Sequence, residues 1–122
     1  SGFPNLWFLA GPGTGLGHNS IVFMIEVQLQ QIGRALRYMR SESVATIELR
    51  REVEEASYAE LQRRVATTVW ASGCSSWYVG DDGRVDAIWP GTTTEYWWRA
   101  RRFTPDRYLT TAGRFGEITP SR

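Results

Sequence analysis

The feature that most constrains this chain is a run of alternating glycines. Gly11, Gly13, Gly15 and Gly17 place four glycines in seven positions. Such a backbone turns sharply and lets another group approach closely. The apolar run Leu6–Ala10 precedes it, with the composition of a strand buried on both faces. A long amphipathic run follows from Ile21. The order is strand, glycine-rich turn, helix. Asn19 or Ser20 can cap the helix start. A helix N-terminus behind such a loop presents unpaired N–H groups and the positive end of a dipole, which favour an anionic or electron-rich ligand. The loop matches neither standard phosphate motif. Read from Gly11, G-x-G-x-x-G ends on Leu16; read from Gly13, it ends on His18. No Lys with Ser or Thr follows, which excludes a P-loop. Close helix–strand packing is the competing use of these glycines.

At 122 residues the chain suits one modest domain. Its formal net charge is +1, so no global field recruits nucleic acid or a membrane surface. Every basic residue is Arg, which forms bidentate contacts with carboxylates and stacks on rings. Six Trp, five Tyr and five Phe supply the rings. A single Cys excludes an internal disulfide and a Cys-based zinc site. With one His beside it, no transition-metal centre is expected. No signal peptide or membrane-spanning run is legible, and a reducing cytoplasm fits best.

In the first helix Ile21, Ile25, Leu29, Ile32, Leu36 and Met39 recur at spacings of three and four and predict one apolar stripe. Val44–Leu49 has strand composition. A second helix is expected over 51–70, with Val53, Tyr58, Leu61, Val65 and Val69 inward. Its acids come early and its bases late, as the helix dipole prefers. Two short strands, 77–79 and 85–89, flank Gly80-Asp-Asp-Gly83 and predict an aromatic hairpin. A third short helix is expected over 92–102, capped by a Thr and stopped by Pro105. From Thr110 the composition is that of a mobile tail.

Other candidate chemistry is thin. His18 suits proton transfer, but a lone His at a helix start is more often a cap or a packing residue. Cys74 has no base beside it in sequence and reads as a small buried residue. Asp81 and Asp82 are turn residues. Trp77, Trp89, Trp97 and Trp98, interleaved with Arg99, Arg101 and Arg102, predict Arg stacked on rings. Single-stranded nucleic acid binding is a distant reading of that region, and the neighbouring acids argue against it.

The stretch Asn5-Leu-Trp-Phe-Leu-Ala-Gly-Pro-Gly-Thr-Gly-Leu-Gly-His-Asn-Ser-Ile-Val-Phe-Met-Ile-Glu26 resembles the C-terminal part of the flavin-containing monooxygenases, in their Baeyer–Villiger-like branch. The resemblance continues through Glu60-Leu-Gln-Arg-Arg64, Thr68-Val-Trp70, Cys74-Ser-Ser-Trp-Tyr78, Trp89-Pro-Gly91 and 96–103. It implies an enzyme that binds FAD and NADPH and inserts one oxygen atom of O2 into a ketone or heteroatom substrate. It implies that Leu6–Ala10 is the last strand of an FAD-domain sheet. It makes Gly11, Pro12, Thr14, Gly15, His18, Asn19 and Ser20 flavin-side residues, with no catalytic acid or base and no metal among them.

The family's two G-x-G-x-x-G motifs do not occur in these residues. The chain therefore reads as a C-terminal fragment, inactive alone and binding neither FAD nor NADPH by itself. The expected fold is α+β: two long helices, a short N-terminal strand and a small aromatic hairpin, forming the C-terminal part of an FAD-binding domain. Residues 1–40 are the strand–loop–helix unit, 41–109 the C-terminal helix and hairpin segment, and 110–122 the tail. Its expected partners are the missing N-terminal FAD/NADPH domains and a second copy of itself, since open strand edges seek partners; nucleic acid and membrane are not expected. The alternative is a non-enzymatic oligomeric or interaction domain that binds no flavin.

Overall fold

The computed structural model describes residues 2–15, 20–68 and 87–113. Their elements are α1 (Ile21–Ser41), β1 (Val44–Leu49), α2 (Arg51–Val65), α3 (Thr93–Ala100), a 3-10 turn at Pro105–Arg107, and β2 (Tyr108–Ala112). The α+β class holds, with three helices and one two-stranded sheet among the described residues.

Ser20 caps α1: its backbone is extended and its side chain accepts from the Phe23 N–H at 3.4 Å. The helix closes with the Glu42 N–H donating to the Tyr38 carbonyl at 2.9 Å. Ser43, at φ 53°, then turns the chain into β1. β1 and β2 pair antiparallel, Leu49 opposite Tyr108 and Val44 opposite Ala112. Ala45 is the extra residue of a bulge between Val44 and Thr46. An inserted residue shifts the two-residue alternation by one. Val44 and Ile47, three apart, are accordingly the two buried residues of β1. They pack with Ala35 and Met39 of α1, and Trp7, Tyr38, Phe103 and Tyr108 close around them. A second, smaller cluster joins Val65 of α2 to Ile88, flanked by Leu61 and Ala87.

Four expectations change. Leu6–Ala10 is not a strand among the described residues. A strand exists through its ladder, and this segment has none: the Leu6 N–H donates back to Phe3, and the Ala10 N–H goes to a side chain. Leu6, Phe8 and Leu9 are exposed, not buried on two faces. Second, Thr110–Ala112, assigned by sequence to the tail, completes β2.

Third, the buried face of α1 coincides only in part with the predicted stripe. Met39 of that stripe is buried and Ile25 and Ile32 are half-buried, but Ile21, Leu29 and Leu36 are exposed, Leu29 at 51%, and the other buried residues are Met24, Val27, Gln28 and Ala35. At 3.6 residues per turn the covered face lies about a quarter turn from the predicted one. The helix is apolar on both sides, and periodicity alone does not say which side is covered. Fourth, α2 ends at Val65. The Thr67 and Thr68 hydroxyls donate to the carbonyls of Arg64 and Val65, at 2.8 and 2.6 Å, and finish the helix with side-chain bonds. Tyr58, expected inward, stands at the surface. The aromatic hairpin, apart from residues 87–89, lies outside the described residues, as do Val69, Cys74, Asp81 and Asp82.

Candidate functional site

The described part of the glycine loop, residues 11–15, is fixed at both ends. At its exit, the Gly15 N–H donates to the Ala87 carbonyl at 2.6 Å and the Trp89 N–H donates to the Gly15 carbonyl at 3.0 Å. Together they form an isolated parallel bridge between Gly15 and Ile88. At its entrance, the Ala10 N–H donates to Gln28 Oε1 of α1 at 2.9 Å. Within the loop, the Thr14 hydroxyl donates to the Gly11 carbonyl. Thr14 is buried. Gly11, Pro12 and Thr14 line one side of an open cavity of about 380 Å³, whose other walls include Trp7, Ile32 and Tyr108.

The missing side chains of these glycines are used inside the chain. A Cβ on Gly15 would lie 2.5 Å from the Ala87 carbonyl oxygen, and one on Gly13 2.8 Å from Leu61 Cδ2. Gly13 also has φ +70°, which disfavours any side chain. Close packing, the competing reading, thus accounts for Gly13 and Gly15. Besides the cavity, the start of α1 offers donors to a ligand. Ser20 stands there as the cap, no acid occupies the first turn, and the Ile21 and Val22 N–H groups have no acceptor among the described residues. That donor set fits the electron-rich edge of a flavin ring. His18 and Asn19 lie outside the described residues.

A second cluster braces the loop from behind. Arg64 of α2 holds Glu95 of α3 bidentately, at 2.6 and 2.7 Å. Arg99 donates to Glu95 at 3.0 Å and to Glu60 of α2 at 2.8 Å. Both guanidiniums lie over the Trp89 ring, at 4.9 and 5.6 Å. The hydrogen bond from Arg64 holds the Glu95 carboxyl below its ordinary value, and that from Arg99 does the same for Glu60. Arg101 stacks on Trp98 at 3.4 Å to the ring centroid. The expected Arg-on-ring stacking is therefore present for Trp89 and Trp98.

Sequence reasoning missed Gln28 and Tyr96. Gln28 is 8% exposed, and its Nε2 donates to the Tyr96 hydroxyl oxygen at 3.0 Å. Burial raises the pKa of Tyr96 and Gln28 partly opposes it. Nothing in a single sequence distinguishes Gln28 from the neighbouring Gln30 and Gln31. Among the described residues no group of three or more His, Cys, Asp or Glu side chains is placed to hold a metal ion, and no helix is long and apolar enough to cross a membrane.

No family model and no solved structure matches the chain. Curated relatives do. A Baeyer–Villiger monooxygenase of Pseudomonas aeruginosa is 43% identical over 114 residues, covering 91% of this chain and 22% of the relative. A second, from Streptomyces coelicolor, is 38% identical over 84% of the chain and 20% of its own length. An FAD-binding monooxygenase of Aspergillus niger is 35% identical over 76% of the chain and 16% of its own length. The chain thus spans about a fifth of the length of the relatives it matches.

Proposed function

The chain is homologous to the C-terminal part of the Baeyer–Villiger and FAD-binding monooxygenases, and on that premise we propose that it supplies the flavin-facing loop and helix start of such an enzyme. The observation that carries this reading is the capped, acid-free N-terminus of α1, set behind a glycine loop whose residues 11–15 are pinned at both ends. Gly11, Pro12, Thr14, Gly15, His18, Asn19 and Ser20 are the residues that would border the ring. A flavin bound there would supply the redox chemistry between NADPH and O2. The chain's own contribution is electrostatic: the α1 dipole and the Ile21 and Val22 N–H groups stabilise negative charge at the ring edge. The Ser20 side chain satisfies the Phe23 N–H, and the two preceding N–H groups have no acceptor among the described residues.

Oxygenation requires nucleotide-binding segments beyond these residues, which contain no G-x-G-x-x-G. The partner that completes the site is therefore the FAD- and NADPH-binding part of the enzyme, and the isolated 122 residues hold neither cofactor nor activity. A chimera tests this. The matching segment of the Pseudomonas aeruginosa relative is replaced by this chain, and retained flavin and NADPH-dependent O2 uptake are measured. A yellow, active enzyme is expected. A folded chimera that retains no flavin would overturn the reading.

The exposed apolar residues Ile21, Val22, Leu29 and Leu36 on α1 favour a second role, as an association surface for the isolated chain.

A further inference from the structure

We propose that Gln28 is the positioning residue of the glycine loop, locking its entrance onto α1 and α3 through Ala10 and Tyr96. The amide occupies a buried site on the covered face of α1, between Met24 and Ala35, where Leu or Met would be the ordinary occupant. A buried amide is costly unless its polar atoms are bonded. Here both ends are used: Oε1 accepts from the Ala10 N–H at 2.9 Å and Nε2 donates to the Tyr96 hydroxyl oxygen at 3.0 Å. A backbone N–H can only donate, so the Ala10 bond fixes which way the amide faces. Ala10 itself has φ 53°, a left-handed conformation that costs a residue with a Cβ. The bond from its N–H to Gln28 holds it there, one residue before Gly11.

The lock closes into a ring. Tyr96 meets Trp89 edge-on, with centroids 5.3 Å apart and planes at 75°. Trp89 in turn donates its backbone N–H to Gly15. The two ends of this part of the loop, Ala10 and Gly15, are thus joined through Gln28, Tyr96 and Trp89. A loop held this way keeps one geometry relative to the α1 N-terminus. The consequence for a flavin rests on the function proposed above; the lock itself does not.

Two measurements separate these claims. In the 122-residue chain, hydrogen exchange reads the Ala10 amide directly. Gln28→Leu keeps the volume and removes both bonds, and the Ala10 amide is expected to exchange about tenfold faster or more, while the Ile47 amide in β1 is unchanged. Gln28→Glu should restore protection, because a carboxylate accepts from both the Ala10 N–H and the Tyr96 hydroxyl. Tyr96→Phe removes only one arm and should give an intermediate rate; it serves if the Leu variant does not fold. An Ala10 amide indifferent to these substitutions would overturn the lock. In the chimera, Gln28→Leu should weaken flavin retention about tenfold while helix content is kept, with Gln28→Glu rescuing it. Equal retention in the Leu variant would leave a lock with no positioning role. A chimera that holds no flavin even unsubstituted would instead refute the flavin reading, and the exchange rates alone would then decide on Gln28.

Discussion

Gly15 carries the tightest constraint in the loop. A Cβ there meets a backbone carbonyl oxygen at 2.5 Å, and backbone cannot swing aside as a side chain can. Gly15→Ala must break the bridge to Ile88 or shift residues 87–89, and should cost about 2 kcal/mol in urea unfolding. Gly13→Ala meets only the end of the Leu61 side chain but adds the strain of φ +70°. Ala10 presents the opposite case. Its φ of 53° suits glycine better than alanine, so Ala10→Gly should stabilise the chain by about 0.5–1 kcal/mol. A loss of stability on that substitution would show that the Ala10 methyl has a packing role that its exposure does not suggest. At this scale the sequence was legible where chemistry is local. A cap at Asn19 or Ser20, and a Thr cap for the third helix, were expected because a short polar side chain before a helix has one obvious partner; Ser20 and Thr92 make that bond. Gln28 was illegible because its partners, Ala10 and Tyr96, are 18 and 68 residues away.

Elements were legible where their pattern is self-contained. β1 spans the predicted Val44–Leu49, and α2 carries Glu52 and Glu54 early and Arg63 and Arg64 late, as its dipole prefers. Leu6–Ala10 failed because strand composition creates only a demand for a ladder, not the neighbour that would provide it. The brace between α2 and α3 gives a pH signature. Arg64 lowers the folded-state pKa of Glu95 below its ordinary 4.5. A group whose pKa is lowered on folding contributes stability above its unfolded value and loses it as pH falls through the folded one. Acidification below about pH 4.5 should therefore weaken the packing of α3 on α2. Glu95→Gln should cost about 1 kcal/mol at neutral pH, since the carboxylate is partly solvated, and its acid loss should be shallower. Thermal melts of both proteins from pH 7 to pH 3 provide the check. Parallel curves would mean that the ion pair carries no net stability.

At the scale of the whole molecule, the described residues leave several large apolar side chains in water. One side of α1 covers the sheet through Ala35 and Met39, while Ile21, Val22, Leu29 and Leu36 face out. Phe3, Phe8 and Leu9 ahead of the glycine loop are also exposed, Phe8 at 71%. Exposed apolar side chains in this number favour association. The apolar pattern that sequence reading took for the core stripe reaches the core at Met39, while Ile21, Leu29 and Leu36 lie on the side of the helix that is exposed. In the isolated chain a second copy can cover that side. Sedimentation velocity should show association that grows with concentration, and Leu29→Lys with Leu36→Lys should shift it back toward monomer without loss of helix content, because neither side chain contributes to the buried side of α1. In the chimera the same pair should behave oppositely. There the face would be taken by the rest of the enzyme, and two lysines would have to be buried or that packing lost, so expression and flavin retention should fall. A chain that stays monomeric at every concentration, in a chimera indifferent to both lysines, would mean that the outer face of α1 is simply surface.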